Sequence, residues 1–218
     1  MKLTKGRNTT VKVLLINGGP HKNGSTNRAL TEIASTLKNE GIDSEILWLG
    51  NDAISGCIGC GACRKREGCF KEDIVNEVAA RLEEFDGFVF GSPVHYAACT
   101  GTLSAFMDRL FFSSARKMYM KPAAAVVSCR RGGASAAFDE INKYFTISSM
   151  PVVSSQYWNQ IHGSDAFEAE RDAEGLQTMR TLARNMAYMI KAFALAKENG
   201  LNPPGKVEKL IRTNFITL

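Results

Sequence analysis

The sequence predicts an α/β fold: one open, doubly wound sheet of five parallel strands, in the order 2-1-3-4-5, flanked by helices. Three observations predict it. Short apolar, β-branched runs alternate with amphipathic helical stretches, which is the pattern of parallel strands joined by crossover helices. Three of those runs end in loops rich in glycine and polar residues, and ligands of such sheets bind where loops leave the strand carboxyl ends. The 218 residues, 44% hydrophobic and 22% charged, suit one domain of ordinary globular composition.

Each element follows from a local signal. Residues 11–16 (VKVLLI) read as a buried strand closed by Gly18-Gly19-Pro20. Residues 25–38 form a helix, since Leu30, Ile33, Ala34 and Leu37 recur at a 3.6-residue rhythm and Gly41 ends it. Residues 44–49 (SEILWL) are the second strand, and a cysteine loop runs from 56 to 69. Residues 73–84 form a helix with Ile74, Val78 and Leu82 on one stripe and Asp73 in its first turn. Residues 87–91 (GFVFG) are the third strand, followed by a helix over 100–115. Lys121-Pro122 leads into the fourth strand, 123–128, and a helix covers 136–145. Residues 151–155 predict a short fifth strand, and 156–166 a long irregular loop, a kind of segment that is often functional. One long helix is expected over 168–198, closed by Asn199-Gly200. Residues 1–199 thus read as a flavodoxin-like domain and 200–218 as a C-terminal arm.

Lys plus Arg number 27 against 22 Asp plus Glu, a formal charge of +5. That suits an anionic ligand and is too diffuse to argue for nucleic acid. No segment approaches the roughly 18–20 apolar residues of a membrane span, and the polar start with its short apolar run does not read as a signal peptide. A cytoplasmic location is expected, where thiols stay reduced. There is no internal repeat or linker that would divide the chain.

The first strand-end loop holds Gly19, Pro20 and His21, then Ser25, Thr26 and Asn27 at the start of the first helix. A helix N-terminus offers unpaired N–H groups and partial positive charge to a phosphate, and the three side chains add donors. No Gly-Lys-Ser/Thr closes this loop and the three-glycine dinucleotide fingerprint is absent. Alone, it equally fits a Ser/Thr N-cap with turn glycines. The second loop carries Ser92, Pro93, Val94, His95 and Tyr96, and the third Ser128, Cys129, Arg130, Arg131, Gly132 and Gly133. His95 and Tyr96 offer flat surfaces to an aromatic ring, and the arginines could stabilise negative charge.

These residues carry a resemblance. The chain resembles the flavodoxin-like NAD(P)H-dependent FMN reductases and, within them, the iron–sulfur flavoproteins. It does so through Gly18-Gly19-Pro20-His21-Lys22-Asn23-Gly24-Ser25-Thr26, through Cys57-x2-Cys60-x2-Cys63-x5-Cys69, and through Gly91-Ser92-Pro93-Val94-His95-Tyr96 running into Phe106-Met107-Asp108-Arg109. The match covers about the first two-thirds of the chain. It implies FMN at the strand ends, its phosphate held by His21, Ser25, Thr26 and Asn27. Pro93 to Tyr96 would line the isoalloxazine, and 129–133 its other edge. Asp108-Arg109 matches a family pair with a structural role. The family usually has Ser where this chain has Gly19 and Arg where it has His21, so a titratable group replaces a permanent charge.

Four of the six cysteines, Cys57, Cys60, Cys63 and Cys69, fall within thirteen residues. Two C-x-x-C steps let three thiolates converge, and the spacer 64–68 swings the chain back to bring the fourth. Such a set suits a [4Fe–4S] cluster or tetrahedral zinc. The absence of histidine and the unequal gaps favour iron–sulfur, and in the iron–sulfur flavoproteins this spacing holds a [4Fe–4S] cluster near FMN. A reduced, metal-free loop is the plain alternative. Cys99 and Cys129 read as ordinary, partly buried thiols.

No side chain accepts a hydride and releases electrons singly, so the chemistry would belong to a flavin and no catalytic side chain is named. The leading expectation is an FMN-dependent oxidoreductase moving hydride from NAD(P)H to FMN and on to a small acceptor such as a quinone or flavin. The alternative is an electron carrier using FMN with a [4Fe–4S] cluster. A zinc-stabilised binding module is a third reading. The resemblance also implies a homodimer or homotetramer with FMN at the interface. The tail, with Lys206, Val207, Lys209, Leu210, Ile211, Arg212 and Phe215, would then cross to a partner subunit, or else pack on its own domain. Tyr157 and Trp158 would cover a neighbour's flavin or serve as hydrophobic anchors.

Overall fold

In the computed structural model, residues 11–205 are described, together with 208, 209, 211 and 213. The expectations for Lys206, Val207, Leu210, Arg212 and Phe215 lie outside the described residues. Five strands, β1 (Lys12–Asn17), β2 (Asp43–Trp48), β3 (Gly87–Pro93), β4 (Ala123–Cys129) and β5 (Gln160–His162), form one sheet in the order β2-β1-β3-β4-β5. Every neighbouring pair is parallel.

Side chains on successive strand residues face opposite sides, and the two cores follow that rule. Leu14, Ile16, Phe88, Phe90, Ala125 and Val127 pack under α2 (Ile74–Arg81), α3 (Gly101–Ser114) and α4 (Ala134–Ile147). Val13, Leu15, Val89, Ala124 and Val126 pack under α1 (Ser25–Asn39), α5 (Ala166–Glu170) and α6 (Ala173–Glu198). A strand buried on both faces is apolar throughout, which is why these runs showed no alternation.

Two elements differ from expectation. Residues 151–155 are not the fifth strand. Val152 forms one isolated bridge to Ala123, and the chain then leaves the sheet and returns as β5. Only Ile161 of β5 is fully buried, between the polar Gln160 and His162, so a three-residue strand lay hidden in the irregular loop. The expected helix over 168–198 is two. Asp172 breaks it by accepting the Gly175 N–H at 2.9 Å and the His162 N–H at 2.7 Å. A carboxylate that caps a new helix and ties the end of β5 cannot also sit inside a continuous one.

No helix among the described residues is long and apolar enough to cross a membrane.

Candidate functional site

The carboxyl end of β1 is pinned from four sides. Asn17, fully buried, accepts the Gly19 N–H at 2.9 Å and donates to the Lys22 carbonyl at 3.2 Å. The Gly18 N–H donates to the Gly91 carbonyl at 2.8 Å, and the Thr100 hydroxyl donates to the Gly18 carbonyl at 2.7 Å. Trp48 Nε1 donates to the Gly19 carbonyl at 2.8 Å. The loop thus delivers α1 in a fixed direction, and the N-cap of α1 is Gly24, with no side-chain cap. Among the described residues the N–H groups of Ser25, Thr26 and Asn27 have no acceptor. This is an uncapped positive pole with three free donors.

The hydroxyls expected to join them are engaged in stitching loops together. Ser25 Oγ donates to the Gly163 carbonyl at 3.2 Å. Thr26 Oγ1 and Ser128 Oγ share a buried hydrogen bond of 2.9 Å, linking the first loop to the third. Asn27 is half-buried, and Pro20 and His21 are exposed at the rim.

The second and third loops abut. A Cβ at Gly91 would stand 2.8 Å from Thr26 Cγ2, so β3 approaches α1 only because that position is glycine. Buried Ser92 accepts the Thr100 N–H at 2.9 Å. Residues 95–98 then close a tight turn by reciprocal bonds between His95 and Ala98, at 3.0 and 2.9 Å. Its central residues, Tyr96 and Ala97, take φ of 50° and 60°, a strained choice for non-glycine residues. The turn leaves Tyr96 wholly exposed at its tip, with His95 exposed beside it. Gly133, at φ 91°, permits the third loop to touch the second, since a Cβ there would lie 2.9 Å from Ala97 Cα. The Val94 N–H donates to the Ser128 carbonyl at 2.8 Å. Pro93 and Val94 are half-buried, and Arg130, Arg131 and Gly132 are exposed. Cys129 is buried, its Sγ 3.5 Å from His162 Nδ1, and burial pushes its thiol up.

Sequence reasoning missed Asn17, Trp48, Thr100 and Gly163. Thr100 had a readable signal, because it caps α3 by accepting the Leu103 N–H at 3.2 Å. Asn17 acts locally, on Gly19 and Lys22, whereas Trp48 and Gly163 act through contacts distant in sequence. Tyr157 and Trp158, each about half exposed, meet at 5.0 Å with their ring planes tilted by 53° and do not anchor the core.

The cysteine loop follows β2. Gly59, Gly61 and Gly68 take φ of 66°, 69° and 72°, turning the chain between the thiols. Cys57, Cys60, Cys63 and Cys69 line one cleft with Ile58, Phe70, Phe112 and Arg109. All six cysteines are free thiols. Among the described residues no three His, Cys, Asp or Glu side chains are gathered as a metal-ion site. The four thiols nevertheless border one cleft, a donor set of the kind that holds an iron–sulfur cluster.

Cys69 is the best-held of the four. Asn76 accepts its N–H and donates to its carbonyl, both at 2.8 Å. Buried Arg109 donates from Nε to Cys69 Sγ at 3.4 Å. Burial alone would raise that thiol, but a backbone hydrogen bond at Lys71 and the Arg109 guanidinium outweigh it and lower it. A set of four sulfurs without histidine, one of them already drawn towards thiolate, fits an iron–sulfur cluster.

A parallel sheet in this order, with glycine-bearing loops gathered at its carboxyl edge around an uncapped helix N-terminus, defines a flavodoxin-like flavoprotein fold. The NADPH-dependent FMN reductase family model matches residues 11–164, and the chain belongs to that family. An iron–sulfur flavoprotein of Methanocaldococcus jannaschii is 30% identical over 189 residues, covering 83% of this chain and 98% of that protein. The iron–sulfur flavoprotein of Methanosarcina thermophila is 24% identical over 83% of this chain and 96% of its own. Solved structures agree on the fold. RosB, solved with bound 8-demethyl-8-formylriboflavin-5′-phosphate, aligns at TM-score 0.64 and 14% identity, covering 95% of this chain and 93% of its own. A WrbA-like flavodoxin from Agrobacterium tumefaciens aligns at 0.60 and 14%, covering 84% and 99%.

Proposed function

We propose that this FMN-linked oxidoreductase is an iron–sulfur flavoprotein that moves electrons between FMN at the strand ends and a [4Fe–4S] cluster on the cysteine loop. The observation that carries the reading is the cleft bordered by all four cysteines, with Arg109 donating to one of them. Its similarity to the iron–sulfur flavoproteins of Methanocaldococcus jannaschii and Methanosarcina thermophila supports it. When bound, FMN supplies two-electron and one-electron chemistry that no side chain offers, and the cluster supplies one-electron chemistry.

The chain's own part is to bind and orient. The free N–H groups of Ser25, Thr26 and Asn27 hold the FMN phosphate, with His21 at its rim. Gly19 and Pro20 shape the loop. Ser92 to Tyr96 present backbone to one edge of the flavin ring, and Ser128 to Gly133 to the other. Arg130 and Arg131 offer positive charge to the reduced flavin or to an incoming anion. Cys57, Cys60, Cys63 and Cys69 hold the cluster. NAD(P)H as hydride donor is a second reading, favoured by membership of the NADPH-dependent FMN reductase family. A cytoplasmic homodimer or homotetramer and a small-molecule acceptor complete the proposal.

Anaerobic purification followed by absorbance, flavin, iron and sulfide analysis tests it. One FMN with about four iron and four sulfide per chain is expected. Flavin without iron or sulfide, with steady NAD(P)H oxidation, leaves a simple reductase. Absence of flavin and of FMN affinity removes both readings.

A further inference from the structure

The bulkiest fully buried side chain among the described residues is a charged one, Arg109, in the middle of α3 and behind the cysteine cleft. Its guanidinium joins three segments. Asp73 takes Nη1 and Nη2 at 2.5 and 3.0 Å, the Lys71 carbonyl takes Nη2 at 2.9 Å, and the Ser55 carbonyl takes Nη1 at 3.4 Å. Those contacts alone would tie α3 to the start of α2 and compensate a costly buried charge. They do not account for the remaining edge. Nε faces the Cys69 sulfur at 3.4 Å, and the side chain itself forms part of the cleft wall.

Other positive groups lie nearby. Lys71 lines the cleft half-buried, its Nζ donating to Ser55 Oγ at 2.6 Å, whereas Arg64, Lys65 and Arg66 are exposed, and Arg66 is paired with Glu72 at 2.7 Å. Exposed charges are screened by water and salt, whereas a buried one is screened much less. Arg109 is the fully buried one of these cations and donates directly to a cysteine sulfur, so its charge is screened least at Cys69. Its ion-pair partner is Asp73, whose side chain is about 29% exposed.

We propose that Arg109 is a positioning residue for a [4Fe–4S] cluster held by the four cysteines: its Nε–H fixes the Cys69 sulfur and raises the cluster's reduction potential, and Asp73 sets how much of the arginine's charge the cluster feels. This rests on the iron–sulfur reading above. A cluster gains negative charge when it takes up one electron, here from dithionite in the titration. A hydrogen-bond donor and a positive charge at one ligand sulfur favour that reduced form.

The test measures the potential by spectroelectrochemistry on anaerobically reconstituted full-length protein, with iron and sulfide counted for each sample. Arg109→Gln is expected to shift the potential to more negative values and to speed iron loss to a chelator several-fold. Arg109→Lys keeps the charge but not the planar fork, and is expected to shift it less in the same direction. Asp73→Asn is expected to shift it the opposite way. Asparagine caps a helix as well as aspartate does, so the cap on Val75 N–H at 3.0 Å is preserved. Unchanged potentials at full iron content, or shifts of one sign in all three variants, overturn the proposal and leave a structural tie. Should Arg109→Gln fail to fold, the opposed signs of Arg109→Lys and Asp73→Asn still decide. Wild-type protein that takes up no iron and sulfide overturns the iron–sulfur reading itself, an outcome distinct from the other two.

Discussion

The strand-end loops and the cysteine loop are built on opposite plans. The first are fixed before any ligand arrives. Asn17, Thr100 and the Thr26–Ser128 pair hold the backbone by buried hydrogen bonds and Trp48 by a partly buried one, and glycines at 91 and 133 let loops meet without side chains. The second has little regular structure beyond a short turn, Ala62–Arg64, and two of its thiols, Cys57 and Cys60, are exposed. Its firm end is Cys69, held by Asn76 and Arg109. The contrast teaches how each site would meet its ligand. Free N–H groups on a hydrogen-bonded frame suit an anion as they stand, whereas four thiols on a loop with little regular structure would gain order from what they bind.

Substitutions can break that contrast. The largest effect is expected from Cys60→Ser, which should abolish iron and sulfide incorporation while FMN affinity, read by fluorescence quenching, stays within about twofold. A matching loss of FMN would mean that the two regions form a single site. Gly91→Ala is the reciprocal experiment. The new Cβ forces Thr26 and the head of α1 aside at a cost of about 1–3 kcal/mol, so FMN affinity should fall roughly tenfold with iron content unchanged. Equal FMN affinity in the variant would argue against a rigid first loop.

Thr26→Val is milder. It strands Ser128 Oγ in a buried position, and should lower stability by about 1 kcal/mol and FMN affinity by less than Gly91→Ala does. Thermal melts and the same quenching titration check both.

The smallest effect lies away from both loops. Glu45 is hydrogen-bonded first by Arg81 and then by Lys12, which together outweigh burial and hold its carboxyl at about 2, below the ordinary 4.5. The folded value is the lower one, so its contribution is complete above pH 4.5 and is lost as pH falls towards 2. Melting temperatures of Glu45→Gln and wild type should differ at pH 7 and converge at pH 2. A gap that persists at pH 2 would assign the effect to packing.

Much of this was legible in the chain. Apolar runs and 3.6-residue rhythms placed β1 to β4 and α1 to α4 within a few residues, because those segments are buried on faces their own spacing defines. β5 was not legible, since one buried isoleucine between polar neighbours leaves no period to read. The break between α5 and α6 was masked for a similar reason. Asp172 looks like any helix-surface aspartate until the end of β5 arrives to use it.

The sequence by itself determined four of the five strands, the three glycine-bearing loops and the spacing of the four cysteines, because each of these is encoded in residues close along the chain. Only the tertiary structure decided that Thr26 serves Ser128 102 positions away, that Gly133 exists to clear Ala97, and that Arg109 faces Cys69 across 40 residues. Such contacts depend on where the folded backbone brings distant side chains, and no local period or motif carries that information.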